Sequence, residues 1–369
     1  MRRPRFQLSI RVACFGSCAA LALGCGAEAA EPAELGQRAA AIVRGEPAGA
    51  ALPALAAIVL EERHPEYSAL GVVCSATLIA PDAVLTAAHC VAEHGPASAP
   101  LGATRRWYVS FAPDLTGLGE RELTLPADAI AVRDAIAHPA FDPGENARVG
   151  LGPSHDVGVA RLVQPVLDRP AVALGGPRPL HAGTPVWIGG YGLQHELGRD
   201  APGAVRGLRT VGVSRLLEVG SHELRVGRPA APAGAERFLA DKCSGDSGGP
   251  TFVGAEDEPL VLVGVTSRGY DASTACDSAG IDARVDVLRG WISEQAGLEP
   301  DDRRSATRLE PSCAVRAAVS RRPGPGGGLT CWLAVPLVGA LRRCSSRARG
   351  SGRARSRDAS ASESCNVPA

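Results

Sequence analysis

Three segments of the chain contain residue types that can together carry out nucleophilic catalysis. Ser247 lies in the run Cys-Ser-Gly-Asp-Ser-Gly-Gly-Pro at 243–250, His89 ends the run Leu-Thr-Ala-Ala-His before a cysteine, and Asp156 precedes the apolar run 157–162. A serine hydroxyl is a weak nucleophile at neutral pH and needs a neighbouring base, such as histidine, to take its proton. Each of these residue types alone is more often structural than catalytic, so their order and spacing matter most.

Taken together, the three segments resemble the trypsin-like family of serine proteases, which has the chymotrypsin fold. The segment at Asp156 departs from the family's usual Asp-Ile-Ala-Leu, because it is Asp-Val-Gly-Val here. The resemblance implies that Ser247 is the nucleophile, that His89 takes its proton, and that Asp156 orients the imidazole and stabilises its cation. It also implies that the backbone N–H groups of Gly245 and Ser247 form the oxyanion hole.

Other hydrolase arrangements fit the sequence less well. The run 245–249 also satisfies the Gly-x-Ser-x-Gly pattern of α/β-hydrolases, but that fold needs a histidine after the serine. All eight histidines lie at or before His222. Subtilisin order would require Asp82 as the acid, and nothing around Asp82 supports that role. His89 and His94 do not form a His-Glu-x-x-His zinc pair, so we expect no metal and no cofactor.

A second aspartate lies near the acid position. The segment His138-Pro-Ala-Phe-Asp142 resembles the stretch that leads to the aspartate strand in the family. Asp156, however, comes directly before an apolar strand, where the family places its buried acid. We therefore interpret Asp142 as a non-catalytic residue and 146–153 as a loop insertion.

The resemblance implies two disulfides, one beside the histidine and one between the walls of the substrate pocket. These pairs are Cys74 with Cys90 and Cys243 with Cys276. No pairing follows from the sequence for the four cysteines near the C-terminus, which are Cys313, Cys331, Cys344 and Cys365.

Ile42-Val-Arg-Gly resembles the mature N-terminus of the family, usually Ile-Val-Gly-Gly. The resemblance implies a zymogen, in which proteolysis frees the Ile42 ammonium to fold inward and pair with Asp246. A buried aspartate needs such a partner, because an unpaired buried charge costs several kcal/mol. The residues before Ile42 are three alanines, so a trypsin-like activating protease would have to cut at Arg38, followed by trimming.

The resemblance places Asp241 at the floor of the substrate pocket, which implies cleavage after Arg or Lys. Its other implied pocket positions are Ser267, Gly269 and Gly280, and two departures from the family pattern, Lys242 and Asp282. If Lys242 turns inward it neutralises Asp241, whereas if it pairs with Asp282 it leaves Asp241 free to bind a cation. A third alternative is that the lysine extends to solvent.

The elements that must position these residues are mainly strands. Between 42 and 297 the sequence shows short β-branched runs separated by Gly and Pro, which is typical of an all-β protein. The strand runs include 57–60, 72–73, 84–85, 186–188 and 260–265. One helix is predicted over 285–296, with Gly297 as its stop. The resemblance implies two six-stranded antiparallel β-barrels, from Ile42 to about Pro165 and from there to Gly297, with the active site between them.

The first 29 residues have the pattern of an export signal. Four arginines precede or begin an apolar run at 12–24, and Ala-Glu-Ala at 27–29 is a small-x-small cleavage site. The apolar run is shorter than the roughly 20 residues that cross a membrane. We therefore expect a protein that is secreted or held at the cell envelope, with 30–41 as a linker or short pro-segment. Cys25 also lies in a sequence that resembles a lipoprotein attachment site.

Residues 298–369 differ in composition from the rest of the chain. They are rich in Arg, Ser and Gly, which predicts a largely disordered tail. The tail contains an apolar run at 329–341 followed by two arginines, which is either an incidental apolar patch or an envelope anchor. The formal net charge of the whole chain is zero, so no global field favours nucleic acid as a partner.

The sequence therefore predicts a secreted serine endopeptidase that acts on protein or peptide substrates. One alternative is a catalytically silent binding protein with the same fold, although inactive relatives usually lose a triad or oxyanion residue. A different alternative is an adhesion or scaffold protein whose tail carries the function.

Overall fold

The computed structural model describes the following residues: 42–48, 51–119, 123–175, 179–198, 205–230, 233–254, 259–271 and 275–298. All of them belong to one compact unit. The predicted signal peptide, the linker at 30–41 and the predicted tail beyond Leu298 lie outside the described residues, and so do Cys25, the apolar run at 329–341 and the four C-terminal cysteines.

The first half of the described chain forms a closed barrel. In chain order the strands in this half of the chain are β1 (Glu46–Pro47), β2 (Leu55–Arg63), β3 (Ser68–Ala80), β4 (Ala83–Thr86), β5 (Thr104–Ser110), β6 (Ile130–Ala137) and β7 (Gly158–Leu162). Six of these close the barrel in the order β2-β3-β4-β7-β6-β5, and every pairing is antiparallel. Two α-helices, α1 (Ala88–His94) and α2 (Pro143–Asn146), and a 3-10 helix (Pro96–Ser98) lie in the connections.

The second half forms another barrel. Its elements are β8 (Ala173–Leu174), β9 (Pro185–Gly190), β10 (Thr210–Val219), β11 (Glu223–Val226), a 3-10 helix (Gly234–Phe238), β12 (Pro250–Val253), β13 (Val261–Gly269), β14 (Gly280–Arg284) and α3 (Val285–Ala296). The barrel closes in the order β9-β10-β11-β14-β13-β12 and returns to β9. The prediction of two six-stranded antiparallel barrels is therefore confirmed.

The segment that begins at Ile42 pairs with the second barrel, whereas the resemblance implies that it belongs to the first. Pro47 in β1 lies opposite Thr210 in β10, and Val43 exchanges two backbone hydrogen bonds of 3.0 Å with Asp241. The start of the segment is thus held next to the loop that carries the candidate nucleophile.

Helix α3 has the bounds that the sequence predicts. Gly297 caps it in the left-handed conformation, with φ of 63°, which glycine adopts without a steric penalty. Leu288 and Ile292 on its apolar face belong to the hydrophobic core that includes the buried residues of the first barrel. Arg161 in β7 also donates to the carbonyl of Gln295 at 2.9 Å. Within the described ranges, no helix combines the length and apolar character needed to span a membrane.

Candidate active site

Strand pairing brings His89 and Asp156 together. His89 follows the end of β4 and Asp156 precedes the start of β7, and these strands are antiparallel neighbours in which Thr86 lies opposite Gly158. Residues after one strand and before the other therefore meet at one edge of the barrel. Nδ1 of His89 lies 2.8 Å from Oδ2 of Asp156, and the backbone N–H of His89 donates to Oδ1 at 2.8 Å.

The electrostatics of this pair suit a general base. Burial alone would raise the pKa of Asp156, but the charge and hydrogen bonds of His89 and the hydroxyl of Ser267 outweigh it and hold the pKa below its usual value. Burial lowers the pKa of His89, yet the adjacent carboxylate more than compensates and leaves it raised. The aspartate is thus ionised at neutral pH, and the imidazolium that forms on proton uptake is stabilised.

The loop that contains Ser247 is fixed by contacts to both barrels. The carbonyl of Ser247 accepts from the backbone N–H of Ser75 in β3 at 2.8 Å, and the N–H of Gly248 donates to Thr266 in β13 at 2.7 Å. Gly248 has φ of 80°, and a Cβ there would collide with the hydroxyl of Thr86. The glycine that follows the serine is therefore a steric requirement of this turn.

The predicted oxyanion groups lie in the same loop. Gly245 has φ of 98°, another conformation that favours glycine, and its carbonyl accepts from the hydroxyl of Ser75 at 3.1 Å. In the described part of the chain, neither the N–H of Gly245 nor that of Ser247 donates to a backbone carbonyl. Their role as an oxyanion hole stays a prediction.

A cavity of about 320 Å³ opens beside Ser247. Four of the predicted pocket residues line it, namely Lys242, Ser267, Gly269 and Gly280. Gly269 and Gly280 lie opposite each other in β13 and β14, so this part of the wall has no side chains. Asp241 and Asp282 are both buried and are not among the residues that line the cavity.

Lys242 forms an ion pair inside the second barrel. Its Nζ donates to Oδ1 of Asp282 and to the hydroxyl of Thr251, the latter at 2.8 Å. The side chains are only 3% and 0% exposed. Burial lowers the pKa of Lys242, although the charge of Asp282 opposes the shift. Of the sequence-based alternatives, the structure has Lys242 paired with Asp282.

Asp241 is held by backbone donors. Its Oδ1 accepts from the N–H of Lys242 and its Oδ2 from the N–H of Ala279, both at 2.9 Å. Ala279 has φ of 74°, an uncommon conformation for a residue with a side chain. Burial raises the pKa of Asp241 to about 7 despite these bonds and one from the backbone of Arg228.

Asp246 is likewise fully buried and bound by backbone groups. It accepts from the N–H groups of Gly192 and Cys243, both at 2.8 Å, and burial raises its pKa to about 7. Ile42 is also fully buried, and its N–H donates to the hydroxyl of Thr210 at 2.7 Å. In the continuous chain Ile42 has a peptide nitrogen rather than an ammonium, so the ion pair with Asp246 stays a prediction.

Two disulfides join the pairs that the resemblance implied. Cys74 is bonded to Cys90 and Cys243 to Cys276, with Cα–Cα distances of 6.4 and 5.0 Å. His89 lies close to the first disulfide, and the three side chains have the spacing of metal ligands. Both sulfurs are oxidised, however, and cannot bind a metal as thiolates.

Three contacts at the site were not found by sequence reasoning. Asn146 lies 2.8 Å from the hydroxyl of Ser267, Thr251 receives Lys242, and Arg206 lies beside Gly245. Each contact joins elements that are distant in sequence or belong to a loop without a motif, so no local signal marks them.

Comparison with known proteins identifies relatives of one class. Residues 42–292 match the family model described as Trypsin. A mouse protein named Serine protease 56 is 32% identical over 254 residues, which cover 65% of this chain and 36% of that protein. Its human counterpart is 31% identical with the same coverage. The bovine Suppressor of tumorigenicity 14 protein homolog is 26% identical over 246 residues, or 62% of this chain and 26% of that protein. The match therefore spans about a third of the curated relatives' length or less.

Proposed function

The chain belongs to the trypsin family of serine proteases, and from this premise we propose that it is a secreted endopeptidase with His89, Asp156 and Ser247 as its triad. The observation that carries the proposal is the 2.8 Å bond between His89 and a buried, ionised Asp156 at the end of two paired strands. Ser247 lines the adjacent cavity, in which a substrate side chain could bind.

The proposed reaction proceeds in two halves. The hydroxyl oxygen of Ser247 attacks the peptide carbonyl carbon while its proton moves to Nε2 of His89, and Asp156 stabilises the imidazolium. The N–H groups of Gly245 and Ser247 bind the oxyanion of the tetrahedral intermediate. His89 then protonates the leaving amine, which leaves an acyl-serine. Water attacks this ester with His89 as base, and the carboxylic acid and the free serine are regenerated.

Labelling with a fluorophosphonate tests the assignment of the nucleophile. These probes react readily only with activated serines, so the wild type should be labelled and Ser247→Ala should not. Ser68→Ala, at an exposed position in β3, is the matched control and should be labelled like the wild type. Equal labelling of Ser247→Ala and the wild type would remove Ser247 as the nucleophile and favour the binding-protein alternative.

Export to the medium or cell envelope is proposed from the first 29 residues and supported by the two disulfides, which form in oxidising compartments. Attachment through Cys25 or the apolar run at 329–341 would keep the protein at the envelope. Deleting 298–369 should leave peptidase activity intact and change only the fractionation between envelope and medium. Loss of activity on deletion would favour a function carried by the tail.

Activation by cleavage before Ile42 is the proposed control of this activity. Its support is that Ile42 is already buried beside Thr210, and Thr210 pairs with Gly190, against which the carboxylate of Asp246 packs. N-terminal sequencing of active protein should therefore begin at Ile42. Full activity in a protein that still begins at Glu31, with no processing on a gel, would contradict the switch.

Cleavage after Arg or Lys is the proposed specificity. Because Lys242 is held by Asp282 and Thr251, its ammonium is not directed at Asp241. A second candidate is cleavage after an uncharged side chain, which is favoured because Asp241 is buried and does not line the cavity. A peptide library should show an Arg or Lys preference that Asp241→Asn removes. A preference for uncharged residues in the wild type would reject the first candidate.

A further inference from the structure

The predicted insertion before Asp156 reaches the catalytic site through one side chain. Asn146 ends α2, and its Oδ1 lies 2.8 Å from the hydroxyl oxygen of Ser267, an arrangement in which Ser267 would be the donor. The same hydroxyl lies 2.6 Å from Oδ2 of Asp156, the oxygen that also contacts His89. The side chains of Asn146, Ser267, Asp156 and His89 thus form a continuous series of contacts.

The number of protons in this series determines the direction of each bond. Ser267 has a single hydroxyl proton, and Asp156 is ionised and can only accept. At 2.6 Å the serine must therefore donate to Asp156, since the alternative would place two oxygen lone pairs against each other in a buried site. Arg268 also approaches the same serine oxygen as a donor, at 3.5 Å. Ser267 thus accepts from its other neighbours.

The group that Asn146 directs at Ser267 must consequently be the amide NH₂. The oxygen and nitrogen of an asparagine side chain have nearly the same shape, and the hydrogen-bond network decides between them. The amide of Asn146 is therefore turned over relative to the contact above, so that its nitrogen and not Oδ1 faces Ser267. We propose that Asn146 is a positioning residue of the catalytic site, because its amide donates to Ser267, which donates to Asp156, which accepts from His89. This inference rests on the proposed function, since it assigns a role in the same reaction.

The insertion is built to hold Asn146 in place. The backbone N–H of Asn146 donates to the carbonyl of Asp142 at 3.0 Å, and the Asp142 side chain caps the first turn by accepting from Gly144 at 2.8 Å. Farther along, Arg268 donates to the carbonyls of Arg148 at 3.1 Å and of Gly150 at 3.0 Å.

Arg268 is itself fixed by a buried carboxylate. It forms two hydrogen bonds, of 2.6 and 3.1 Å, with Glu223 in β11, whose side chain is fully buried. Because Glu223 and Arg268 belong to the second barrel, the insertion is attached to that barrel while Asn146 supports an aspartate of the first. The bonds of a chain of this kind polarise one another, so the amide should strengthen the bond from Ser267 to Asp156.

Two substitutions of similar shape test the role of the amide in the full, processed chain. Asn146→Leu removes the donor, and we expect kcat to fall about fivefold with KM within about twofold, which is the scale of one lost hydrogen bond. Asn146→Asp donates only when it is protonated. Its activity relative to the wild type should therefore decline as pH rises from about 5 to about 8, since the second carboxylate ionises in this range beside Asp156.

Controls separate this role from packing. Glu145→Gln changes the neighbouring residue, whose side chain pairs with Arg148, and should behave like the wild type at every pH. The groups that face His89 apart from Asp156, namely Glu93 and His94 on its own helix, are unchanged in all variants. In a Ser267→Ala background Asn146→Leu should have no further effect on kcat, because the amide acts through Ser267.

The proton NMR signal of Nδ1–H of His89 gives a measurement that does not need turnover. It should shift in Asn146→Leu and Asn146→Asp and stay in place in Glu145→Gln. An unshifted signal, a pH-independent activity ratio for Asn146→Asp, or additive losses with Ser267→Ala would each overturn the inference. A wild type that neither hydrolyses peptides nor reacts with a fluorophosphonate would reject the proposed function instead, and the NMR shift would still decide whether the chain of hydrogen bonds exists.

Discussion

Buried aspartates occur at the edges of both barrels, and their surroundings differ. Asp156 beside the first barrel is bound by the side chains of His89 and Ser267, and its pKa lies below the usual value. Asp241 and Asp246 in the loop of the second barrel are as deeply buried, yet burial raises the pKa of each to about 7. The carboxylates therefore differ in charge near neutral pH although all three are fully hydrogen-bonded.

The difference follows from the kind of donor. Asp241 and Asp246 accept mainly from backbone N–H groups, which are dipoles and offset only part of the desolvation cost of a charge. Asp156 faces an imidazole that can itself take up a proton and become a cation. A buried carboxylate in this fold thus stays ionised where a side chain can supply the opposite charge, and holds a proton near neutral pH where only the backbone contacts it.

The largest expected effect is the loss of catalytic activity when Asp156, the ionised aspartate, is replaced. Asp156→Asn should lower kcat by about 10⁴-fold, the loss that this exchange causes in Ser-His-Asp triads, because the imidazole adopts the wrong tautomer. Hydrolysis of a peptide ester by purified protein measures it. Asp82→Asn, at an exposed position, is the matched control and should retain full activity. Retained activity in Asp156→Asn would show that this carboxylate has no catalytic role.

Lys242 and Asp282 allow a test of a fully buried pair of opposite charges. Lys242→Met keeps the length of the side chain but leaves Asp282 without its cation, and Oδ2 of Asp282 already has no hydrogen-bond partner among the described residues. We expect a loss of about 3–5 kcal/mol in the free energy of unfolding, measured with urea. The double variant Lys242→Met, Asp282→Leu should recover most of it. A single variant as stable as the wild type would show that the pair adds nothing to the stability of the fold.

The pH dependence of stability separates the two kinds of aspartate. The pKa of Asp246 is about 7 in the folded chain, against about 3.9 in an unfolded one. The folded state therefore binds this proton more tightly, so the stabilisation is complete below about pH 4 and is lost as pH rises to about 7. The pKa of Asp156 is lowered instead, so its contribution to stability has the opposite pH dependence and is lost only as pH falls below about 4.

Urea unfolding of the uncleaved chain should accordingly show stability that decreases from pH 5 to pH 7, with a slope on the order of 1 kcal/mol per pH unit for each raised aspartate. Asp246→Asn should reduce the slope, since an amide does not titrate. An unchanged slope in Asp246→Asn would be inconsistent with a raised pKa at this position.

The smallest effect is expected for a charge pair at the surface. Arg63 is 63% exposed and pairs with Glu61 at 2.5 Å. Arg63→Gln should change the free energy of unfolding by less than about 0.5 kcal/mol, because water screens exposed charges. Urea unfolding alongside Lys242→Met would compare an exposed and a buried pair directly. A loss above about 1 kcal/mol would show that exposure is not what separates the two pairs.

Much of the fold was predictable because its signals are local. The apolar runs at 57–60, 72–73, 84–85 and 186–188 all lie in strands, and α3 runs from Val285 to Ala296 before the glycine that ends it. The number of strands and the closure of both barrels came from the resemblance of three motifs rather than from periodicity. The same motifs named His89, Asp156 and Ser247 as candidates, since the family places its triad in those segments.

By itself, then, the sequence determined which residues are candidates for chemistry, where strands and the final helix form, and which cysteines could pair. Only the tertiary structure decided that Lys242 points at Asp282, that Asn146 reaches Ser267, and that the Ile42 segment joins the second barrel. A motif specifies residues that are close in sequence or that occur in a fixed order, and it does not specify their contacts in space. The direction of a buried charge depends on which donors and acceptors lie around it in space, and these come from distant strands and loops, as with Asp156 and Ser267, which are 111 residues apart.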